Sequence, residues 1–221
     1  MNRKIVIFGC GDIAQLAHFY FDTDSECEVV AFTVDAEYIE SSTFCGLPVV
    51  PFENVAEKYP PNDYGFFVAL SYAKLNAVRK EKFLAAKQLG YRLVSFISSK
   101  ATILNEGRVG ENCFILEGNT IQPFAVIGDN VTLWSGNHIG HHSTIKDHAF
   151  IASQVVVSGG VEIGEQCFLG VNATLRDHIK VGDRCVIGAG ALLLADTEPE
   201  GVYMQQATER SRVPSTRLRG I

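Results

Sequence analysis

Histidines are concentrated in one short stretch of the chain. The segment GNHIGHHSTIKDHAF, residues 136–150, holds four of the six histidines, namely His138, His141, His142 and His148. Imidazole serves in proteins as a general base, as a zinc ligand or as an ordinary surface side chain. Which of these applies here depends on the elements that carry the four side chains.

The histidines lie within a repeat of six residues. Every sixth residue is aliphatic, and the residue two positions before it is usually small; the sixteen aliphatic positions are Ile103, Val109, Ile115, Ile121, Ile127, Leu133, Ile139, Ile145, Ile151, Val157, Ile163, Leu169, Leu175, Val181, Ile187 and Leu193. This period fits neither a helix nor the alternation of a simple strand. It predicts short strands with a turn in every sextet, and three sextets that close a triangular coil. The coils stack about 4.8 Å apart as a β-helix.

Neighbours in such a stack are eighteen residues apart. His141 therefore lies one coil from Gly159, and His142 lies one coil from Phe124. His142 and His148 occupy equivalent corners of different faces, so we do not expect them to share a ligand within one subunit. The sequence also allows an interpretation without a catalytic or metal-binding role, in which His141 is a surface residue. His148 and His178 are expected to be surface or subunit-contact residues.

The cysteines are read most simply as reduced thiols. They stand at positions 10, 27, 45, 113, 167 and 185 without any CxxC pair, which is typical of a cytoplasmic chain. Cys113, Cys167 and Cys185 occupy small inward positions separated by multiples of eighteen. They are predicted to form one stacked edge of the core and not a metal site.

The first hundred residues predict a small parallel α/β unit. Strands are expected at residues 4–8, 27–34, 64–70 and 91–97, with helices ending near Phe21 and spanning about 73–89. Gly9, Gly11 and Ala14 match a G-x-G-x-x-A turn, which lets a phosphate approach a helix N-terminus. Asp35 ends the second strand as a candidate ribose acceptor. A tight turn packed on a helix needs the same glycines, and Asp12 is also a common helix N-cap.

Composition excludes several classes of protein. The formal net charge of −6 argues against a general nucleic-acid binder. No apolar run reaches eighteen residues, and the N-terminal MNRKIVIFGCGD reads as a strand and a turn, not as a signal peptide. We therefore expect a cytoplasmic protein.

The sextets VGENCF, IGDNVT, IGEQCF and VGDRCV resemble those of the left-handed β-helix acyltransferases. Together with the preceding α/β unit, they resemble the bacterial nucleotide-sugar acetyltransferases over residues 3 to about 203. These include enzymes that N-acetylate a 4-amino sugar in bacillosamine and perosamine synthesis, and sialic acid O-acetyltransferases. The resemblance implies a nucleotide-sugar-binding domain at 1–100, a left-handed β-helix domain at 101–196 and a tail at 197–221.

The family's α/β unit holds the nucleotide-sugar, and its β-helix forms a homotrimer with acetyl-CoA between subunits. Carried over, the nucleotide-sugar would meet Gly9, Gly11, Asp12, Asp35, Ser71 and Tyr72. The family turn usually reads glycine-glycine-histidine, whereas this chain has Gly11-Asp12. The arginines of the tail, at 210, 212, 217 and 219, either meet CoA phosphates or belong to a solvated end.

By the same resemblance, His141 is the general base and the backbone N–H of Gly159 faces the thioester carbonyl. Phe150 walls the acyl pocket. His142 stands where the family often has an acidic residue, so it orients His141, binds substrate or merely caps a corner of the coil. His138 is expected to line the substrate side. No metal is expected.

The sequence thus predicts an acetyl-CoA-dependent N-acetyltransferase acting on a nucleotide-linked amino sugar, of the 4-amino-4,6-dideoxy type, for O-antigen, capsule or glycan synthesis. Three alternatives remain open. One is a sugar O-acetyltransferase on the same scaffold. Another is a trimeric zinc enzyme of the β-helix carbonic anhydrase type. The third is a nucleotide-sugar sensor without catalysis. The sequence does not identify the nucleotide, the sugar or the length of the acyl group.

Overall fold

The computed structural model describes residues 3–217 and begins with an α/β unit. Its elements are β1 (Arg3–Phe8), α1 (Asp12–Thr23), β2 (Cys27–Val34), β3 (Thr43–Phe44), β4 (Leu47–Pro51), α2 (Val55–Lys58), β5 (Gly65–Val68), α3 (Ala77–Gln88) and β6 (Arg92–Leu93). The strands form one sheet in the order β3-β4-β2-β1-β5-β6. The sheet is parallel apart from the β3–β4 hairpin.

The central strand β1 is apolar because both of its faces are covered. Ile5 and Ile7 pack in the cluster on the α1 side, and Val6 and Phe8 pack in the cluster that contains α3. Continuous apolar runs are typical of parallel sheets buried on both sides. The first three predicted strands are confirmed and correspond to β1, β2 and β5. The sequence analysis did not predict β3, β4 or α2.

The fourth predicted strand, residues 91–97, is wrong as a single element. Its first part is β6 of the sheet, whereas Phe96–Ile97 pairs with Phe114–Ile115 and belongs to the repeat. The chain passes between the two at Ser95, whose hydroxyl accepts a hydrogen bond from the Cys113 N–H at 2.9 Å. An apolar run does not reveal that its two ends pair with different strands.

The third helix starts later than predicted. Residues 73–89 were expected to be helical, but α3 begins at Ala77. Lys74, Leu75 and Asn76 have φ values of 49°, 52° and 65°, which place three successive non-glycine residues in the left-handed region. This conformation is incompatible with a right-handed helix, so it delays the start of α3.

The rest of the chain forms a parallel β-helix. Its strands have two residues each: β7 (Phe96–Ile97), β8 (Thr102–Ile103), β9 (Phe114–Ile115), β10 (Thr120–Ile121), β11 (Val126–Ile127), β12 (Thr132–Leu133), β13 (His138–Ile139), β14 (Thr144–Ile145), β15 (Phe150–Ile151), β16 (Val156–Val157), β17 (Glu162–Ile163), β18 (Phe168–Leu169), β19 (Thr174–Leu175), β20 (Lys180–Val181), β21 (Val186–Ile187), β22 (Leu192–Leu193) and β23 (Val202–Tyr203). They stack as three sheets. From β7 to β22, each strand pairs with one eighteen residues away, as Thr120 does with His138, which confirms the predicted coil.

The predicted interior is confirmed at all sixteen aliphatic positions. Fourteen are buried in one continuous cluster, and Ile103 and Val109 pack against it partly buried at the first coil. Cys113, Cys167 and Cys185 are buried in the same cluster. Burial raises the pKa of the Cys113 and Cys167 thiols to about 12, and all six cysteines are free. The three inward cysteines are therefore core residues, as predicted.

The corners of the coils share one backbone conformation. The residue three positions before an inward aliphatic has a positive φ at corner after corner, as at Asn130, Gly136, His142 and His148. Glycine, asparagine and histidine tolerate this region better than branched residues do. The corners predicted for His142 and His148 are therefore confirmed.

Both parts of the chain contribute to one hydrophobic cluster. Phe21 of α1 and Phe67 of β5 pack in it together with Phe96 and Phe114 of the β-helix. At the far end, β23 pairs with β21 at an offset of sixteen residues, so the last turn is shorter than the others. The tail beyond it is exposed at Arg210, Arg212 and Arg217, and Arg219 lies outside the described residues. Within residues 3–217, no helix is both long and apolar enough to cross a membrane.

Candidate active site

His141 and Gly159 are neighbours on adjacent coils. A methyl group added to Gly159 would lie 2.6 Å from Cε1 and 2.7 Å from Nε2 of the His141 ring, so the imidazole covers this glycine. The Gly160 N–H donates to the His141 carbonyl at 2.8 Å, which fixes the two turns relative to each other. The predicted stacking is confirmed, while the catalytic roles of the two residues stay predictions.

His142 contacts the ring of His141. Their Nδ1 atoms are 3.0 Å apart, so one ring donates a hydrogen bond to the other. His142 also packs on the Phe124 ring, with the two ring centroids 4.7 Å apart. The ring that contacts His141 within the subunit is therefore a second imidazole, and its orienting role stays a prediction. Asp147 lies on another face, where it accepts a hydrogen bond from the Asp129 N–H at 2.7 Å.

Some backbone N–H groups at the sextet position of Gly159 donate to side chains, whereas others, such as those of Asp147 and Asp183, have no acceptor among residues 3–217. At the same sextet position, the Asp129 N–H donates to the Asp147 carboxylate at 2.7 Å. The Glu165 N–H likewise donates to Asp183 at 2.9 Å. In the described part of the chain, residues 3–217, the Gly159 N–H donates to no protein acceptor. It belongs to the glycine that the His141 ring covers, and its use by a bound molecule stays a prediction.

His138 lies on the face that leads to this corner. It belongs to β13 and stands between Thr120 and Val156 of the neighbouring strands. Its side chain is half-buried, whereas His141 and His142 are exposed. The three histidines therefore occupy one face and its edge, and the substrate-side position of His138 stays a prediction.

Four of the predicted nucleotide-sugar residues come together. Gly11, Asp12, Ser71 and Tyr72 line one cavity of about 670 Å³. They follow β1 and β5, and the carboxyl ends of adjacent parallel strands meet at one edge of a sheet. Gly11 is the N-cap of α1 and Asp12 is its first residue, so Asp12 is not the cap itself. The N-terminus of α1 therefore opens at this cavity.

Two other predicted nucleotide-sugar residues stand apart from it. Gly9 has a φ of +127°, and a methyl group there would lie 2.7 Å from the Ala69 carbonyl oxygen. Glycine is needed because β1 and β5 approach closely at this turn. Asp35 lines a different cavity, and its carboxylate is 2.7 Å from the Lys82 ammonium. The structure does not bring Asp35 to the Ser71 and Tyr72 cavity.

Phe150 lines an apolar cavity of about 490 Å³ together with Tyr72, Trp134 and Phe168. The Tyr72 ring centroid is 5.0 Å from that of Phe150 and 4.7 Å from that of Phe168. Tyr72 and Trp134 line both cavities, so the polar and the apolar cavity adjoin. Sequence reasoning missed Trp134 and Phe168. Phe168 stands eighteen residues after Phe150, so the repeat itself carried the signal.

His141 and the Tyr72 cavity lie on different sides of the β-helix. Phe150 belongs to the sheet that contains β12, β15 and β18, and Tyr72 packs on that face. His141 follows β13 of a second sheet and precedes β14 of the third. It therefore stands at the corner opposite the Phe150 face. Within one subunit, the structure does not bring Phe150 together with His141.

His148 is not the surface residue that was predicted. It is 5% exposed, its Nδ1 lies 3.0 Å from the Asn130 Nδ2, and its ring packs against Phe83 of α3. Burial, and next the nearby Lys80 ammonium, lower the pKa of His148 to about 4. The prediction failed because α3 covers this corner, which the repeat alone does not reveal. His178 is exposed, as predicted.

The histidines raise the question of a metal site. Across the described residues, 3–217, no group of three or more His, Cys, Asp or Glu side chains has the arrangement of a metal site. The His141–His142 pair therefore stands in this chain as two imidazoles in mutual contact.

Comparison with known proteins supports both parts of the architecture. Residues 106–141, 124–159 and 160–195 match the family model for the bacterial transferase hexapeptide (six repeats). No curated protein sequence matches the chain.

Three solved structures cover nearly the whole chain. A mutant perosamine N-acetyltransferase from Caulobacter crescentus, in complex with CoA and GDP-perosamine, is 23% identical over 91% of this chain and 93% of that chain, with a TM-score of 0.80. The acetyltransferase domain of PglB from Neisseria gonorrhoeae FA1090, in complex with acetyl coenzyme A, is 23% identical over 93% and 97%, with a TM-score of 0.82. WeeI from Acinetobacter baumannii AYE is 18% identical over 90% and 95%, with a TM-score of 0.75. The chain thus has the fold of these acetyltransferases, an α/β unit followed by a left-handed β-helix, and its residues 106–195 match the model of the bacterial transferase hexapeptide.

Proposed function

We propose that this protein transfers an acetyl group from acetyl-CoA to the amino group of a nucleotide-linked amino sugar. The observation that carries the proposal is the fold match across both parts of the chain to a perosamine N-acetyltransferase bound to CoA and GDP-perosamine. The acceptor would be a 4-amino-4,6-dideoxy sugar, and the product would serve O-antigen, capsule or glycan synthesis in the cytoplasm.

In the proposed reaction, the acceptor amine attacks the thioester carbonyl while His141 takes up one of its protons. A bond forms between the amine nitrogen and the carbonyl carbon, and the negative charge moves to the carbonyl oxygen. The free Gly159 N–H supplies a hydrogen bond to that oxygen. The carbon–sulfur bond then breaks, and the CoA thiolate receives the proton from the His141 imidazolium.

The contact with His142 is compatible with the tautomer that this step needs. If the Nδ1–H of His141 donates to Nδ1 of His142, the Nε2 of His141 is left free to accept the proton. His142 is itself held by the Phe124 ring. A neutral imidazole stabilises an imidazolium less than a carboxylate does. This favours an amine over the less nucleophilic hydroxyl as the acceptor, and hence N-transfer over O-transfer.

The proposed site requires more than one copy of the chain. The Tyr72 cavity lies on the Phe150 face, and His141 stands at the opposite corner of the same β-helix. One acceptor can reach both only if the cavity of one subunit faces the histidine corner of another. This supports a homotrimer in which the subunits share each site, and light scattering with the purified protein measures that state directly.

The test is to incubate the protein with acetyl-CoA and a panel of UDP-, GDP- and dTDP-linked 4-amino sugars, and to follow the release of free thiol. The matched panel carries a hydroxyl in place of each amine. Release with an amino sugar only is expected. Release only with the hydroxyl panel would overturn N-transfer in favour of O-transfer. Absence of thiol release with both panels would contradict the acetyltransferase proposal.

A further inference from the structure

A buried arginine joins α3 to the β-helix. The guanidinium of Arg79 is fully buried, and its Nη1 donates to the carbonyl and the side-chain oxygen of Asn130. Its Nη2 donates to Oδ1 of Asn76 at 2.9 Å and to the His148 carbonyl at 3.0 Å. A longer bond reaches the Ala149 carbonyl at 3.3 Å. Every one of these acceptors is an uncharged oxygen.

Stability alone does not account for this choice of residue. Removal of a charged group from water is costly. A carboxylate partner would offset this cost better than neutral oxygens do, and a well-packed apolar side chain in place of the arginine would avoid it. Burial lowers the pKa of Arg79 to about 10, so the guanidinium stays charged near neutral pH. Its Nε has no hydrogen-bond partner among residues 3–217. What the guanidinium adds is a rigid fork of donors that fixes several backbone oxygens at once.

Asn76 connects Arg79 to the turn that precedes α3. It is the last of the three residues with positive φ, a conformation that persists only where the surroundings hold it. Its Nδ2 donates to the carbonyls of Gln166 and Cys167, at 3.2 Å each. Its Oδ1 accepts from Arg79. The turn is therefore fastened at its end by hydrogen bonds to the corner of the β-helix.

The two strands that directly follow these acceptors in sequence, β15 and β18, also contact Tyr72. Ala149 and Cys167 supply carbonyls to Arg79 and Asn76, and the next residues along the chain, Phe150 and Phe168, pack against the Tyr72 ring. The segment from Tyr72 to Asn76 is thus held at both ends by neighbouring coils of the β-helix. Loss of the bond from Arg79 to Asn76 weakens the attachment at one end, where the bonds from Asn76 Nδ2 and the bond from Gln166 Nε2 to the Leu75 carbonyl at 3.5 Å remain.

We propose that Arg79 is a positioning residue, which acts through Asn76 to fix the segment that carries Tyr72 over Phe150 and Phe168. In this way it sets the shape of the cavity lined by Ser71 and Tyr72. The identity of the ligand in that cavity rests on the proposed function. The positioning role itself does not, and it is tested separately.

The first test is amide hydrogen exchange on the full-length protein, with Arg79→Met and Arg79→Lys compared with the wild type. Methionine removes the fork and the charge at similar length, whereas lysine keeps the charge and loses the fork. We expect exchange in residues 70–77 to be faster by about tenfold or more in both variants, with little change in the β-helix core. Lys80→Met is the matched control, because Lys80 reaches Gln166 and Glu165 from the same helix at a half-buried position. Its exchange should match the wild type.

The second test uses Trp134, the only tryptophan of the chain, which lines the cavity. Its fluorescence should change in Arg79→Met and not in Lys80→Met, with no ligand needed. In the thiol-release assay, the KM for the amino sugar should rise about tenfold, with kcat and the KM for acetyl-CoA nearly unchanged.

The outcomes separate the two ideas. A wild-type enzyme that is inactive on every sugar would refute the proposed function but leave the exchange and fluorescence results valid. Unchanged exchange in residues 70–77 would overturn the positioning role. Exchange that rises equally in the β-helix, or failure of both Arg79 variants to fold, would also overturn it, because Arg79 would then act on the stability of the whole chain.

Discussion

His142 and His148 occupy the same position in consecutive sextets and share the same left-handed backbone, with φ values of 58° and 65°. Their surroundings are nevertheless opposite. His142 is exposed and contacts a second imidazole, whereas His148 is buried under α3 with a pKa of about 4. The repeat dictates the conformation of a corner, and the α/β unit decides whether that corner is available for chemistry.

The largest effect is expected at the exposed corner. His141→Asn removes the proposed base, and kcat should fall by about 10²–10⁴-fold, the range typical of general base catalysis. The side chain is exposed, so Tm should stay close to that of the wild type. Steady-state thiol release gives kcat, and calorimetry should show that acetyl-CoA still binds. Unchanged turnover would remove His141 from the mechanism.

The buried corner should instead govern the pH dependence of stability. The pKa of His148 lies at about 4 in the folded chain and at about 6.5 in an unfolded one, so the unfolded state binds more protons between these values. The neutral His148 side chain therefore makes its full contribution to the free energy of unfolding above pH 6.5. As the pH falls toward 4, the free energy of unfolding decreases by about 3 kcal/mol at most.

His148→Asn should flatten this part of the curve of unfolding free energy against pH, measured in urea from pH 7 to pH 4. Asparagine tolerates the left-handed conformation and still offers an oxygen to Asn130. His142→Asn, the same substitution at the exposed corner, is the control and should leave the curve as in the wild type. Identical curves for all three proteins would contradict the assignment.

A third prediction concerns the contact between coils. Gly159→Ala places a methyl group within 2.6 Å of the His141 ring and must displace it. We expect kcat to fall about 10²-fold, as for misplacement of a catalytic group by about 1 Å. In a double-mutant cycle, the same change added to His141→Asn should cost little more. Additive losses would show that the two residues act independently.

The smallest effect is expected for the orienting imidazole. His142→Gly suits the positive φ and removes the ring that contacts His141, so kcat should fall by about tenfold with a changed pH–rate profile. Gln154→Gly, at another exposed corner of the same conformation, is the control and should retain full activity. Equal kinetics in the two variants would show that His142 does not orient His141.

The repeat made the β-helix predictable to single residues, because each inward aliphatic is a strong and regular signal. It also predicted that His141 lies over Gly159, since both are fixed by the eighteen-residue coil. The contacts between the two parts of the chain were not predictable in the same way. The burial of His148, the position of Arg79 and the separation of Asp35 from Tyr72 all depend on how α3 and the sheet pack against one corner. No local periodicity records that packing.

Each coil of the β-helix has three sextets, or eighteen residues, except at the last pairing, where the offset is sixteen. An insertion of a whole coil would lengthen the rod and return every later side chain to its original face. An insertion of one sextet before His138 would shift the phase by a third of a turn and move the His141 corner to the next edge of the triangle. Evolution can therefore vary the length of such a chain in steps of eighteen residues, whereas a step of six must move the proposed active site with it.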